Sequence, residues 1–484
     1  MTSRREFLSH TIVGLGSLSL GSLAVSQPGQ KQLRVRANPI KDGERPVPRK
    51  RSFVSPVIDQ KIQDLTAKMF DRDLARLFTN CFPNTLDTTI QYAEKNGKPD
   101  TFVITGDIPA MWLRDSTAQV WPYLPFAAKD PKLQSLLQGV IYRQTQCILI
   151  DPYANAYNKN ATGGEWENDR TDMKPELHER KWEIDSLCYP IRLSHGYWEQ
   201  TGDASCFDED WLEAMKSVYR TFKEQQRKND RGPYSFQRKA FSATDTLSNG
   251  GYGNPVAPVG LICSSFRPSD DATILPFLIP SNYFARQSLR QLATMVRAHF
   301  VDESFAQQCE NLAAEVEEAL EKYAVTEHLD FGSVMAYEVD GFGNRVFMDD
   351  ANIPSLLSLP YLGCMSTESS LYANTRRLIL SASNPYYFSG KAADGVGSPH
   401  TGYDKVWPLS IIMRALTSSS DKEIMHCLNM LKSCHGGKWF MHESFDKDAP
   451  ENYTRDWFAW ANTLFGELIL KIEKERPHLI LAQT

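Results

Sequence analysis

Apolar residues recur at intervals of three and four along most of the chain, which predicts a succession of amphipathic helices. "IQDLTAKMFDRDLARLFTNCF", "QSLLQGVIYRQTQCILI", "DEDWLEAMKSVYRTFKEQQRK", "FARQSLRQLATMVRAHF" and "ESFAQQCENLAAEVEEALEKYAV" each carry one apolar stripe. So do "DKVWPLSIIMRALTS", "DKEIMHCLNMLKSCH" and "YTRDWFAWANTLFGELILKIEK". Alternating strand patterns are few and short, as in "SVMAYEVD" before the glycine turn of "GFGNRVFMDD". From about Ser52 onward no composition break marks a second domain. A long run of helices without a fixed-period repeat predicts an all-α toroid, two rings of helices with a site at one mouth, rather than a solenoid.

The N-terminus departs from this pattern. "TSRREFL" precedes the short apolar segment "TIVGLGSLSLGSLAVSQ", and Arg4 and Arg5 match a twin-arginine export signal. Residues 1–26 are therefore expected to be a signal peptide, cleaved after the small residues Ala24 to Ser26. The segment is too short and too polar to span a bilayer well, and no cysteine lies near it for a lipid anchor. Residues 27–52, with "VRANPIKDGERPVPRKR", predict a Pro-rich basic linker or arm, and residues 53–484 the folded body. The expected location is periplasmic or secreted, with no membrane partner once the signal is gone.

Charge and cysteine content narrow the function classes. The 484 residues carry 59 acidic and 53 basic side chains, a net charge of -6, without a basic stripe, so no nucleic-acid partner is expected. The 9 cysteines show no CxxC or zinc spacing, which argues for scattered thiols and against a disulfide framework. The 10 tryptophans and 19 tyrosines often sit beside polar residues. Core packing is one reading of them, and a cleft lined with flat amphipathic faces is the other.

Five junctions concentrate chemistry-bearing side chains. In "TGDIPAMWLRDSTAQVWPYL", Trp112, Arg114 and Asp115 precede a helix whose start Asp115 and Ser116 signal, and Arg beside Asp can clamp vicinal hydroxyls. "MKPELHERKWEIDSLCYP" packs Glu176, His178, Glu179, Arg180, Lys181, Trp182, Glu183 and Asp185 together, with His178 and Trp182 placed on one helical face. "SFRPSDDATILPF" joins Arg267 and Pro268 to Asp270 and Asp271, and Ser269 or Asp270 is equally a helix cap for "ATILPFLIP". "VFMDDANIPSLLSLPYLG" brings Asp349, Asp350 and Asn352 together without calcium-loop spacing, and a helix cap before "IPSLLSL" accounts for most of it. "GKWFMHESFDKDAPENYTRDWFAWAN" holds His442 and Glu443, with Arg455, Asp456 and Trp457 opening the last helix, and lacks the HExxH zinc pattern. Carboxylates, tryptophans and arginines at helix mouths are the set that glycoside hydrolysis uses.

Taken in order, "DIPAMWLRDSTAQVWPYL", "KPELHERKWEIDSLCYP", "SFRPSDDATILPFLIPSNYFA", "MDDANIPSLLSLPYLG" and "WFMHESFDKDAPENYTRDWFAWANTLFGEL" resemble glycoside hydrolase family 125 over about residues 55–475. The resemblance implies an (α/α)6 barrel with the active site at one mouth. It also implies metal-independent, inverting release of terminal non-reducing α-1,6-linked mannose from mannan or N-glycan fragments. By the same resemblance Asp270 is the general acid and Glu443 the general base. Such an acid needs a raised pKa, to which the adjacent Asp271 is expected to contribute. Candidates for sugar contact, drawn from residue type and motif membership, are Trp112, Arg114, Asp115, His178, Lys181, Trp182, Asp185, Arg267, Asn282, Asp349, Asp350, Asn352, His400, His442 and Arg455. No cofactor or metal is expected, the partner is a mannose-containing oligosaccharide, and the protein is expected to be a monomer. The alternatives are a calcium-dependent exo-α-mannosidase of other linkage built on Asp349 and Asp350, a non-catalytic mannan-binding protein, and an exported redox protein.

Overall fold

The computed structural model describes residues 38–40 and 42–482, so the expected signal segment 1–26 lies outside the described residues. The helices are α1 (Pro56–Lys68), α2 (Arg72–Cys81), α3 (Asn84–Thr88), α4 (Leu113–Val120), α5 (Pro131–Ile150), α6 (Ile184–Thr201) and α7 (Glu209–Gln225). They continue with α8 (Ile279–His299), α9 (Glu303–Tyr323), α10 (Ser370–Ile379), α11 (Pro408–Leu416), α12 (Asp421–Ser433) and α13 (Ala459–Glu475). They form two layers. The helices α11, α13, α4, α6 and α8 pack side by side in that order as the inner ring, and α2, α5, α9 and α12 lie against them from outside.

Sequence explains which helix goes where. Every residue of α4 is buried, and α11 leaves only Arg414 partly exposed. In α9, by contrast, Phe305, Cys309, Leu312, Val316 and Leu320 turn inward at helical spacing while the glutamates face water. In the chain between α8 and α11, buried turns at 351–362 contribute to the inner ring instead of a helix. They are tied in by Tyr189 donating to the Ile353 carbonyl (2.9 Å) and Tyr361 donating to Glu467 (2.9 Å).

Capping divides the two rings. The outer helices α2, α5, α7, α9 and α12 start on Asp71, Asp130, Asp208, Asp302 and Ser420, whose side chains accept from first-turn N–H groups. The inner helices start on Trp112, Glu183, Leu278, Trp407 and Phe458, none of which caps its own helix. Neighbouring chain satisfies the first N–H instead: Leu113 donates to the Asn155 carbonyl (3.1 Å), Ile279 to that of Tyr337 (2.9 Å) and Ala459 to that of Thr105 (3.1 Å). The last contact needs Gly106, at φ +135°, because a Cβ there would stand 2.3 Å from the Trp457 carbonyl oxygen.

Several local expectations change. The stretch around His178 is a strand, Leu177–Glu179, paired with Ala156–Tyr157, so His178 and Trp182 share no helical face. "ATILPFLIP" stays extended until Ile279, because its N–H groups find partners off the chain's own turn: Ile274 and Leu275 both donate to Glu338 (3.0 Å each). "IPSLLSL" forms turns, and the last helix opens at Ala459, after Arg455, Asp456 and Trp457. The hairpin expected around "GFGNRVF" is present, with Arg345 opposite Val339. All 9 cysteines are free thiols, 8 of them buried.

The end of the Pro-rich arm lies down on this body. Ser52 and Phe53 donate to the carbonyls of Asp87 and Leu86 (2.8 and 2.9 Å), and Arg45 grips the Asp87 carboxylate with Nε (2.6 Å) and Nη2 (3.1 Å). Burial pushes the Asp87 carboxyl up to about 6 despite Arg45. Arg45→Ala leaves that enclosed carboxylate with the more distant Arg51 (3.5 Å) as its remaining cation, and the expected loss is about 2–3 kcal/mol of unfolding free energy at pH 7. The loss should shrink at pH 5, where Asp87 takes a proton. Urea unfolding of both proteins at the two pH values checks this, and equal losses would show that charge burial is not the cause.

Candidate active site

The N-terminal ends of the inner helices α4, α11 and α13 meet around a pocket open to solvent. Its walls are Thr105, Ile108, Trp112, Arg114, Asp115, Pro268, Ser269, Asp270, Asn352, His400, Trp407, Glu443, Arg455, Phe458 and Trp460. The uncapped helix starts supply three of its aromatics, Trp112, Trp407 and Phe458. The buried indole N–H of Trp112 meets no acceptor among the described residues, which leaves it available to a ligand oxygen.

Asp270 stands at the tip of a tight hairpin. Its N–H donates to the Arg267 carbonyl (2.9 Å), the Arg267 N–H donates to that of Asp271 (2.7 Å), and Phe266 pairs with Ala272. Pro268 and Ser269 form the turn, and Asp270 takes the left-handed position at φ +68°. Asp and Asn accept that conformation better than most residues. The ammonium of Lys181 donates to the Asp270 carbonyl (2.8 Å), and the base is fixed by Arg267 donating to Glu338 (2.6 Å). This geometry separates the two aspartates. Asp270 faces the pocket, while Asp271 is buried and reaches His400 Nδ1 at 3.5 Å.

Behind Asp270 lies a crowded carboxylate cluster around one guanidinium. Arg114 contacts Glu183 (2.6 Å), Asp185 (3.1 Å), Asp270 (3.4 Å) and Asp115 (3.5 Å). Asn155 adds an amide donor to Asp270 (3.2 Å). Arg114 is shared among these four carboxyls, three of them buried, with Lys181 acting on Asp270 and Arg455 on Asp115, and burial opposes the charge of each. Burial raises Asp115 to about 6 and lifts Glu183 well above the ordinary carboxyl range, with the charges of Asp270 and Asp185 adding to the shift at Glu183. Asp270 moves the other way: burial works against its charge, but Arg114 and Lys181 outweigh it and hold the carboxyl well below its ordinary value. The expectation of a raised Asp270 with help from Asp271 is therefore not met: Arg114 and Lys181, rather than Asp271, dominate its surroundings.

Also on the pocket lining, Glu443 leads the strand Ser444–Asp446, paired with Tyr453–Thr454. Its carboxylate is buried and lies 3.4 Å from Arg455 Nη1, while Arg455 also donates to Asp107 (2.6 Å). The loops that carry Asp270 and Glu443 are pinned in the same way. Asn282, fourth residue of α8, accepts from the Ile262 N–H (2.8 Å) and donates to its carbonyl (3.0 Å). Asn462, fourth residue of α13, does the same to Met441 (2.9 and 3.1 Å).

Residues 71–470 match the family of metal-independent α-mannosidases, glycoside hydrolase family 125. The chain belongs to that family. It is also 42% identical over 456 residues to the Meiotically up-regulated gene 157 protein of Schizosaccharomyces pombe, covering 90% of this chain and 89% of that protein. A Streptococcus pneumoniae metal-independent α-mannosidase, solved in a non-productive complex with α-1,6-mannobiose, superposes with TM-score 0.84 at 40% identity, covering 88% of this chain and all of the other. A bacterial glucoamylase complexed with acarbose shares the fold at TM-score 0.51 and 12% identity, over 83% of this chain and 56% of that one.

Of the residues expected from sequence, this α-mannosidase places Asp270, Glu443, Trp112, Arg114, Asp115, Asn352, His400 and Arg455 on the pocket wall. Others stand behind it. His178 packs edge-on against Trp112 (5.4 Å), Lys181 and Asp185 support Asp270 and Arg114, and Arg267 and Asn282 hold the backbone. Trp182 is a core residue that donates its indole N–H to Cys263 (2.7 Å). Asp349 accepts from the N–H groups of Leu356 and Leu357 (2.8 and 3.0 Å), and Asp350 is engaged by Asn352 and Ser398. Their oxygens are thus committed to protein donors, and neither lines the pocket. His442 stacks on Tyr453 (3.7 Å) between two backbone carbonyls, away from the pocket. Sequence reasoning passed over Trp407, Phe458 and Trp460, whose signal was an aromatic in place of a capping residue at or just inside a helix start.

His400 offers a direct test of the local field. Burial lowers its affinity for a proton, yet Asp271 outweighs this, with Glu443 and Asp270 adding to the pull, and the imidazole is pushed up to about 9. Because the folded value exceeds the unfolded one of about 6.5, the ion pair contributes fully below that pH and fades as pH rises through about 9. NMR titration of labelled histidine should show this midpoint in the wild type and a drop of more than one unit in Asp271→Asn. A midpoint that stays near 9 in the variant would rule out Asp271 as the cause.

Proposed function

We propose that the protein is an exo-acting α-1,6-mannosidase that removes one terminal non-reducing mannose and inverts the anomeric centre. The observation that carries this reading is one pocket lined by both Asp270 and Glu443, in a chain of the α-mannosidase family. The linkage is supported by the α-1,6-mannobiose bound in the Streptococcus pneumoniae relative. Asp270 delivers a proton to the glycosidic oxygen, and Glu443 removes one from a water attacking the opposite face of the sugar. Arg455 steadies Glu443. Trp112 and Arg114 present N–H donors to hydroxyls, Asp115 and Asn352 present acceptors, and Trp407, Phe458 and Trp460 give the ring apolar faces. The substrates are ends of mannan or N-glycan fragments, met by a monomer outside the cytoplasm. Export rests on Arg4, Arg5 and the small residues before Gln27.

Asp270→Asn and Glu443→Gln should each lower kcat on α-1,6-mannobiose by about 10²–10⁴-fold with little change in Tm. NMR of the first sugar released should show β-mannose, and α-1,2- and α-1,3-mannobiose should be cut far more slowly. Initial α-mannose would overturn the inverting mechanism, and near wild-type turnover in either variant would overturn that residue's role.

A further inference from the structure

We propose that Glu183 is a positioning residue that holds, on its buried Oε1, the proton Asp270 passes to the leaving sugar. This deepens the proposed function and rests on Asp270 being the acid. The starting point is one of two orphaned oxygens in the cluster, Glu183 Oε1 and Asp185 Oδ1, because of these two carboxyls only that of Glu183 comes within hydrogen-bonding reach of Asp270. Oε2 of Glu183 accepts from Arg114 Nη1 (2.6 Å) and Ser186 Oγ (2.8 Å), whereas Oε1 is buried and meets no donor among the described residues. A carboxylate oxygen with no donor is costly to bury unless it carries a proton itself. Asp270 supplies the matching acceptor, because the two carboxyls lie within hydrogen-bonding reach on adjacent nitrogens of the same guanidinium.

Exposure decides which of the two keeps the proton at rest. The Glu183 side chain is fully enclosed, while that of Asp270 is 25% exposed to the pocket and is held by both Arg114 and Lys181. The low-dielectric position favours the neutral acid, and the position beside two cations favours the anion. Asp185 and Asp115 share Arg114 and so reinforce retention of a proton in the cluster, and His400 adds positive charge on the Asp270 side. The titration directions of the two groups, up for Glu183 and down for Asp270, agree with this division.

The step balances as follows. Substrate displaces water from Asp270 and weakens the case for its charge, so the proton moves from Glu183 to Asp270. As the glycosidic C–O bond breaks, its electron pair stays on the leaving oxygen, which takes that proton. The attacking water forms the new C–O bond and yields its own proton to Glu443. The cycle closes when Glu443 releases that proton to solvent and the Glu183–Asp270 pair takes one back. A coupled pair of this kind titrates as a unit, and its last proton sets the alkaline limb of the rate profile.

Glu183→Gln keeps the size of the side chain, an acceptor for Arg114 and a donor toward Asp270, but carries no transferable proton. On α-1,6-mannobiose it should lose about 10²-fold or more in kcat. On 2,4-dinitrophenyl α-mannoside, whose leaving group needs no proton, the loss should stay within about tenfold, while on mannobiose the alkaline limb of kcat/KM should move at least about one pH unit toward acid. Equal losses on both substrates with the limb unmoved would show that Glu183 only braces Arg114, and would overturn the proposal. If Asp270→Asn keeps wild-type turnover of mannobiose, the assignment of the acid itself falls, and the proposal with it. If Asp270→Asn fails on mannobiose while Glu183→Gln does not, the proposal alone falls. Should Glu183→Gln not fold, Glu183→Asp replaces it. Its shorter acid should keep the alkaline limb and lose kcat on mannobiose alone, and an alkaline limb displaced in Glu183→Asp overturns the proposal.

Discussion

The guanidinium of Arg114 is the contact around which this active site closes. It sits in the first turn of α4, reaches two carboxylates at the mouth of α6, and touches the hairpin that carries Asp270. Three chain segments far apart in sequence are thereby held to one point. With four carboxyls sharing this guanidinium, burial favours retention of a proton at Glu183, and under the proposed mechanism that proton is what the cluster supplies to the reaction. Net interaction energies in such a network depend on all its members together, so no pair within it can be assigned its own share.

The contrast between the two rings extends this logic. The outer helices close their N-termini with their own Asp and Ser side chains, as surface helices ordinarily do. The inner helices α4, α8 and α13 hand that task to the backbone of adjoining strands and loops, α6 hands it to the Ser264 hydroxyl, and α11 begins on Pro408, which has no N–H to satisfy. Releasing the capping position from capping frees it for Trp112, Trp407 and Phe458, whose rings then face the pocket. Specificity and fold thus compete for the same few positions, and the short paired strands at the mouth resolve the competition.

How much of this was legible beforehand follows from the range of each signal. Helices such as α5, α8 and α9 declare themselves through apolar periodicity, which reflects a single face meeting a single layer. The five motifs brought the pocket's charged residues into view, Asp270, Glu443, Arg114 and Arg455 among them, because charged side chains at helix mouths are conspicuous in any sequence. What remained hidden depended on contacts distant along the chain. "RPSDDA" read as a helix start because local rules favour capping, whereas Glu338, more than sixty positions on, takes the following N–H groups and keeps the segment extended. Asp349 and Asp350 looked like ligands and proved to be turn anchors. His178 and Trp182 looked like one face and lie on a strand and in the core. Glu183 stood in plain sight as one of eight residues in its motif, and what set it apart was a donorless buried oxygen on a carboxyl within reach of Asp270.

The left-handed backbone at Asp270 has a consequence for how this activity can be lost. That position at the tip of the turn accepts aspartate, asparagine or glycine with little strain and resists most other side chains. Under the mechanism proposed above, the replacement easiest for the fold, asparagine, is also one that removes proton delivery while keeping the shape of the pocket. On that mechanism a single exchange of oxygen for nitrogen separates a hydrolase from a sugar-holding protein of the same architecture.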